Sequence, residues 1–361
     1  MANEVNMDFM ANGGGSGPVA QMLANQGRLD PNRLKPYIAE DGKAYVTVFS
    51  GGDPKKPESY KAVQVNNGTL RRDEWKQLDE AVHQIAETRL NGIQDLISRG
   101  LVYNLGNAMG TTVLESHDIS DALEAELSMD GISRAQNDRQ EFGTVYLPIP
   151  IIHVDYEINA RVLAASRNMG NPIDTTLASR ASRKVSEKLE SMLFTAKTYA
   201  FGGGTIYSYL NYPHRNEVAL TKAWNDATKT AADILEDVIK LKQKSIDNYH
   251  YGPWVIYIPT AYETVLDEDY DTSGQSTQTI RERILKVGGI SDIKVVDTLT
   301  ADNIVFVQMT PDVVRLVRGM GIQNVEWQQE GNMIIKNKVM TIQVPQIRSD
   351  HNNKCGIVHM A

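Results

Sequence analysis

Apolar positions fall into three regimes along this chain. Before about residue 70 the texture is thin: Gly13, Gly14, Gly15 and Gly17 open it, several prolines follow, and only Ala44–Phe49 and Tyr60–Val65 alternate as strands do. Those two runs flank Ser50-Gly51-Gly52-Asp53-Pro54, which predicts a hairpin. So few apolar residues cannot build a core, and ordering backbone costs about 1–2 kcal/mol per residue unless contacts offset it. The expectation is an arm that gains order on a neighbour.

From Asp73, a plausible cap, Trp75, Leu78, Val82, Ile85 and Leu90 recur near helical spacing and predict an amphipathic helix to about Ile97. Periodicity fades from Thr111 to about Gly143, the mark of a functional loop. A strand-like run from Thr144 to Asp155 follows. At Asn171-Pro172-Ile173-Asp174, Asn171 can cap and Pro172 suits the first helical position, predicting a helix over 172–197, roughly 39 Å long at 1.5 Å per residue.

Gly202-Gly203-Gly204 then reads as its exit. Next comes a helix over 231–247, bearing Ile234, Leu235, Val238, Ile239 and Leu241, then a buried strand, Trp254–Pro259. A helix over 280–287 and strands over 293–296 and 303–307 continue the alternation. The last stretch predicts strands over 313–317 and 323–328, a turn at Glu330-Gly331-Asn332, and a long strand over 333–344. The fold class is α+β, with no internal repeat.

Composition narrows the function. The 361 residues carry a formal charge of -8, so no surface is built to clamp phosphates. One cysteine, Cys355, excludes an intrachain disulfide and fits a cytoplasmic origin. Neither a signal peptide nor an apolar run of about 20 residues is present, so no membrane partner is expected.

Candidate chemistry fares poorly. Phe201-Gly-Gly-Gly-Thr205 lacks the Lys-Ser/Thr ending of a phosphate loop. Asp267 to Gly274 resembles a calcium loop but has Thr272 and Gln278 where that motif has Gly and Glu. His351, Cys355 and His359 stand four apart as zinc ligands on a helix would, yet Ile357-Val358 reads as strand. No catalytic residue, cofactor or metal site is expected, and the chain is read as not an enzyme.

The order of elements resembles one family. The helix with its early Trp75, the long loop, the run Leu147-Pro-Ile-Pro-Ile-Ile, Tyr156–Arg161, the helix from Pro172, and the closing strands Asp312–Ile322 and Lys338–Val344 are similar to the major capsid proteins of tailed bacteriophages, of the Hong Kong 97 type, and to the encapsulin shells that share their fold. The resemblance covers about Asp73 to Ala361. It implies an N-terminal arm (1–72), an N-terminal helix region (73–110), an extended loop (111–147), a peripheral domain with a spine helix (148–215 and 304–344), an axial domain (216–303), and a tail (345–361) returning to the axial domain.

The implied function is self-assembly into hexamers and pentamers of an icosahedral shell around double-stranded DNA touched only loosely. The partners implied are further copies, portal and scaffolding proteins, with or without a decoration protein. The localisation implied is the virion, assembled in the host cytoplasm. An encapsulin compartment around a protein cargo is the alternative, disfavoured because encapsulins usually begin near the first helix. Trp75, Glu126, Asp130, Arg134, Asp138, Arg139 and Glu141 are the candidate inter-subunit contacts. No lysine stands between Lys76 and Lys184, so the loop carries no nucleophile for the isopeptide link that some members form, and a non-covalent shell is expected. The arm is expected to stay in the mature shell.

Overall fold

In the strand Trp254–Pro259 every side chain is buried, and alternate residues serve two different cores. Trp254, Ile256 and Ile258 point to one, while Val255 and Tyr257 point to the other. A strand covered on both faces reads as an unbroken apolar run, as this one does. It is the centre of a computed structural model that describes residues 35–49, 56–65, 70–71, 73–80, 91–106, 109–119, 142–168, 175–270, 278–330, 333–350 and 352–361.

The central strand belongs to a five-stranded sheet in the order Asn216–Val218, Ile357–Met360, Ile304–Gln308, Trp254–Pro259, Ile290–Val296. It pairs antiparallel with Ile304–Gln308 and parallel with Ile290–Val296. The parallel pair needs a crossover, supplied by the short helices Glu263–Leu266 and Ile280–Leu285. The helix Ala231–Asp247 covers one face with Ile234, Leu235, Val238 and Leu241. It starts at Thr230 in a capping box: Asp233 N–H donates to the Thr230 hydroxyl at 3.3 Å, and Thr230 N–H donates to the Asp233 carboxylate at 3.0 Å.

A second layer joins the spine helix Thr176–Phe194 to a four-stranded sheet ordered Val102–Asn104, Val314–Glu330, Ile334–Ile347, Ile152–Asn159. Ala178, Ala181, Val185, Leu189 and Leu193 form its buried stripe at helical spacing. At 19 residues it spans roughly 28 Å at 1.5 Å each, shorter than expected. It opens at Thr176, after a Thr175 that makes no side-chain cap bond, so the expected start is corrected; Asn171–Asp174 lie outside the described residues. It closes at Phe194, because Thr195 turns to extended backbone (φ -110°, ψ 133°).

Other expectations are refined. Gly202 (φ 59°) and Gly203 (φ 80°) are the turn of a hairpin joining Tyr199–Phe201 to Gly204–Ile206, not a helix exit. Such a two-residue turn demands positive φ, which glycine supplies at no steric cost. Thr144–Asp155 divides into the ends of two strands, Phe142–Pro148 and Ile152–Asn159, parted at Pro150. The expected strands over 313–317 and 323–328 are one strand, Val314–Glu330. Its Gly319-Met320-Gly321 breaks the alternation, and the ladder absorbs the break as register shifts on either side of Met320.

Asp73 is itself helical, one residue inside the end it was expected to cap, while the Glu74 carboxylate accepts the Arg71 N–H at 2.8 Å. Helix is present at 73–80 and Asn91–Ser98, with the residues between outside the described set.

The alternating runs before residue 70 do pair, with Ala44 opposite Val65 and Phe49 opposite Tyr60. They join Tyr37–Ile38 and Leu70–Arg71 in a four-stranded sheet. Its foot is tied to its own chain. Trp75 Nε1 donates to Pro36 O at 2.8 Å, Lys35 Nζ lies 2.7 Å from the Asp79 carboxylate, and Leu70 and Tyr37 pack into the main core.

Candidate assembly surfaces

Among the described residues, Asp267, Cys355 and His359 make other contacts. Asp267 lies 3.1 Å from Arg281 Nε, and its following residues 271–277 are outside the described set. Cys355 is fully buried and its Sγ contacts Arg348 O at 3.5 Å; burial pushes its thiol up to about 12. His359 sits in a strand with Nε2 2.7 Å from Asn303 Oδ1. His351 lies outside the described residues.

The buried charges tie elements together. Asp95, on the helix Asn91–Ser98, accepts the Tyr257 hydroxyl at 2.8 Å and pairs with Arg99 at 3.0 Å and Lys294 at 3.5 Å. Glu190, on the spine helix, accepts the backbone N–H of Gly92 at 2.9 Å and of Ile93 at 3.4 Å. Burial, against those bonds, pushes its carboxyl up to about 7. Beside it Phe194 meets Tyr257 and Tyr209 edge-on, at 4.9 and 5.5 Å between centroids. The five-stranded sheet is thereby bolted to the spine helix through buried groups.

The informative surface is apolar and outward-facing. Val113–Ile119 and Phe142–Pro148 form a two-stranded antiparallel ribbon. The hairpin Tyr199–Ile206 lies against its second strand so closely that a Cβ on Gly204 would collide with the Tyr146 carbonyl. Here Tyr199 and Phe201 are 50% and 54% exposed, next to exposed Val145 and Tyr146. Large aromatics gathered in the open make this face a candidate contact surface. No periodicity signals it, because residues 143–146 and Tyr199–Phe201 are exposed in unbroken runs and not in alternation.

Of the contact candidates read from the sequence, Glu126, Asp130, Arg134, Asp138, Arg139 and Glu141 lie outside the described residues. Trp75 is placed inside its own subunit, 5% exposed, holding the foot of the first sheet. Among the described residues no helix is long and apolar enough to cross a membrane.

The comparisons bear on the fold. A family described as "Family of unknown function (DUF6260)" matches residues 64–360. Among curated relatives, the chain is 22% identical over 216 residues to the diheme-cytochrome-encapsulin shell fusion protein of Kuenenia stuttgartiensis, covering 60% of this chain and 55% of that one. It is 24% identical over 215 residues to the type 1 encapsulin shell protein EncA of Myxococcus xanthus, covering 59% of this chain and 69% of that one. The chain thus spans little more than half of the first of these relatives.

Among solved structures, the virus-like particle from Pyrococcus furiosus superposes with a TM-score of 0.57 at 17% identity, over 80% of this chain and 99% of that one. The capsid of Myoviridae phage XM1 gives 0.58 at 8%, over 75% and 91%. The capsid of a native GTA particle gives 0.52 at 13%, over 86% and 94%. At such identities the likeness is one of fold.

Proposed function

We propose a shell-building role for this chain, which belongs to the family described as of unknown function (DUF6260) and carries the Hong Kong 97-type shell fold. In this reading it is the major capsid protein of a tailed bacteriophage. It self-assembles without covalent links into hexamers and pentamers of an icosahedral shell around double-stranded DNA, with portal and scaffolding partners, and resides in the virion after assembly in the host cytoplasm. The observation that carries the reading is the fold shared with two capsids over 75% and 86% of the chain. The sheet built from residues 37–71, largely ahead of the family match at 64, supports it as the root of an arm.

In the same reading the spine helix and the four-stranded sheet form the peripheral domain. The five-stranded sheet with its helix forms the axial domain, into which the tail returns as Ile357–Met360. The ribbon is the base of the extended loop. Repeated apolar contacts at every subunit boundary supply the association energy, and a structural role needs no catalytic group.

A second reading, an encapsulin compartment around a protein cargo, is favoured by one observation: the two curated relatives named above are encapsulin shells. Electron microscopy of the chain, expressed alone and with its natural neighbours, separates the two. Shells with a portal and DNA support the capsid. Small portal-less shells around one protein support the compartment, and a discrete monomer or dimer overturns both.

A further inference from the structure

Arg315 and Arg348 are neighbours at the end of the long strands, and among the described residues no carboxylate lies within ion-pair distance of either. Arg315 lies with its Cζ 4.5 Å from the centroid of the Tyr103 ring, and its Nε donates to Gln346 Oε1 at 2.6 Å. Burial, and then the neighbouring Arg348, hold the Arg315 guanidinium below its usual value. Arg348 is held by its backbone, whose N–H donates to Val313 O at 2.8 Å. Arg348 lines a cleft of about 460 Å³ together with Gln346, Tyr207, Tyr212, His214 and Ser116.

Tyr207, Tyr212 and His214 form an edge-on aromatic row, and the Tyr212 hydroxyl donates to Ser349 Oγ at 3.0 Å. The walls are therefore rigid and partly apolar. Of the nearby acids, Asp350 accepts the Lys354 N–H at 2.6 Å. Neither it nor the exposed Asp312 is within ion-pair distance of either arginine among the described residues.

Two like charges held together, one of them half-buried, cost energy unless an anion joins them, and arginine is the residue suited to bidentate recognition of a carboxylate. We propose that this cleft is a subunit contact in which Arg348, backed by Arg315, receives a carboxylate from the surface of a second copy of the chain. The inference rests on the shell-building reading. The occupant follows from charge. With 45 acidic against 37 basic residues the chain offers its copies carboxylates in excess, and two arginines in a cleft are too few to clamp a phosphate backbone. A contact between unlike patches of identical chains is the head-to-tail kind that closes rings.

The test uses Arg348→Lys in particles assembled from a mixture of light and isotopically heavy full-length chains. Treatment with a carbodiimide joins a lysine amine to a carboxylate it touches, and arginine does not react. The expected result is a new light–heavy peptide pair linking position 348 to an Asp or Glu of another copy, not found in wild-type particles. Arg348→Glu should leave the unassembled subunit folded by near-ultraviolet circular dichroism, yet lower particle yield by about tenfold at low salt. Intact particles in which position 348 links only within its own chain, or to nothing, overturn the contact and leave the shell reading standing. A wild-type chain that forms no particles removes the shell reading, and this contact falls with it.

Discussion

The Glu190 carboxylate sits 2.9 Å from the backbone N–H of Gly92, closing the start of one helix with a buried acid from another that is 98 residues away in sequence. Two backbone donors favour its charged form, burial opposes it, and burial wins, with the carboxyl raised from 4.5 to about 7. An acid whose folded value is raised binds a proton in the folded state that the unfolded state has released. Stability should therefore fall as pH rises from about 4.5 to about 7, by roughly 1–3 kcal/mol. Glu190→Gln should flatten that part of the curve while keeping an acceptor for Gly92. Urea midpoints of the unassembled subunit between pH 4 and pH 8 read it, and an unchanged slope would refute the assignment.

Gly92 itself has no room for a side chain. A Cβ there would lie 2.5 Å from Phe194 Cε2 and 3.3 Å from Glu190 Oε1. Gly92→Ala should cost about 1–3 kcal/mol by overpacking, although alanine is the better helix former. Pairing it with Phe194→Leu should recover part of the loss. A stable single variant in denaturant titration would mean the two helices are not pressed together here.

How far the sequence shows these relationships depends on what carries the signal. The helix Ala231–Asp247 is readable because its apolar stripe, Ile234 to Leu241, is local. The central strand is readable because both its faces are buried. The spine helix is over-extended by pattern, since nothing local announces that Thr195 turns away. The long strand Val314–Glu330 looks broken because bulges, which only pairing reveals, absorb its glycines. Glu190, Asp95 and Asp237 are buried acids that any pattern scores as surface, and their partners are fixed by tertiary contact. The order of elements carries the family resemblance; the aromatic patch and the arginine cleft exist only once the ribbon, the hairpin and the long strands meet.

Tyr199 and Phe201 should matter to particles and not to folding. Both project from a short hairpin beside the ribbon and are about half exposed. Tyr199→Ser combined with Phe201→Ser should leave the subunit's melting nearly unchanged while reducing assembly by about tenfold or more, because buried aromatic anchors dominate interface energy. Sedimentation of assembly mixtures gives the yield. Full particle yield would show that this face stays in solvent.

In the proposed shell, the ribbon offers no lysine for a covalent link between subunits. Its described strands, Val113–Ile119 and Phe142–Pro148, and every position between them, lack lysine. Purified particles boiled in detergent should run as a single band near 40.1 kDa. A ladder of multimers would mean another nucleophile links the subunits.

Lys229 and Asp237 test how the tip of the five-stranded domain is held. Their charged atoms are 2.6 Å apart with both side chains 4% exposed, and Trp224 Nε1 also donates to Asp237, at 3.2 Å. Deleting only the cation strands a buried carboxylate, so Lys229→Met should cost about 3–5 kcal/mol, eased somewhat by Lys240, which lies 3.8 Å from the other oxygen. Removing the charge as well should cost far less. In Lys229→Met with Asp237→Asn, a neutral carboxamide still accepts from Trp224, and the loss should shrink to about 1–2 kcal/mol. Chemical denaturation of both variants decides it. A double variant as unstable as the single one would mean that the lysine stem, through its packing, holds the loop, and that charge balance at Asp237 does not.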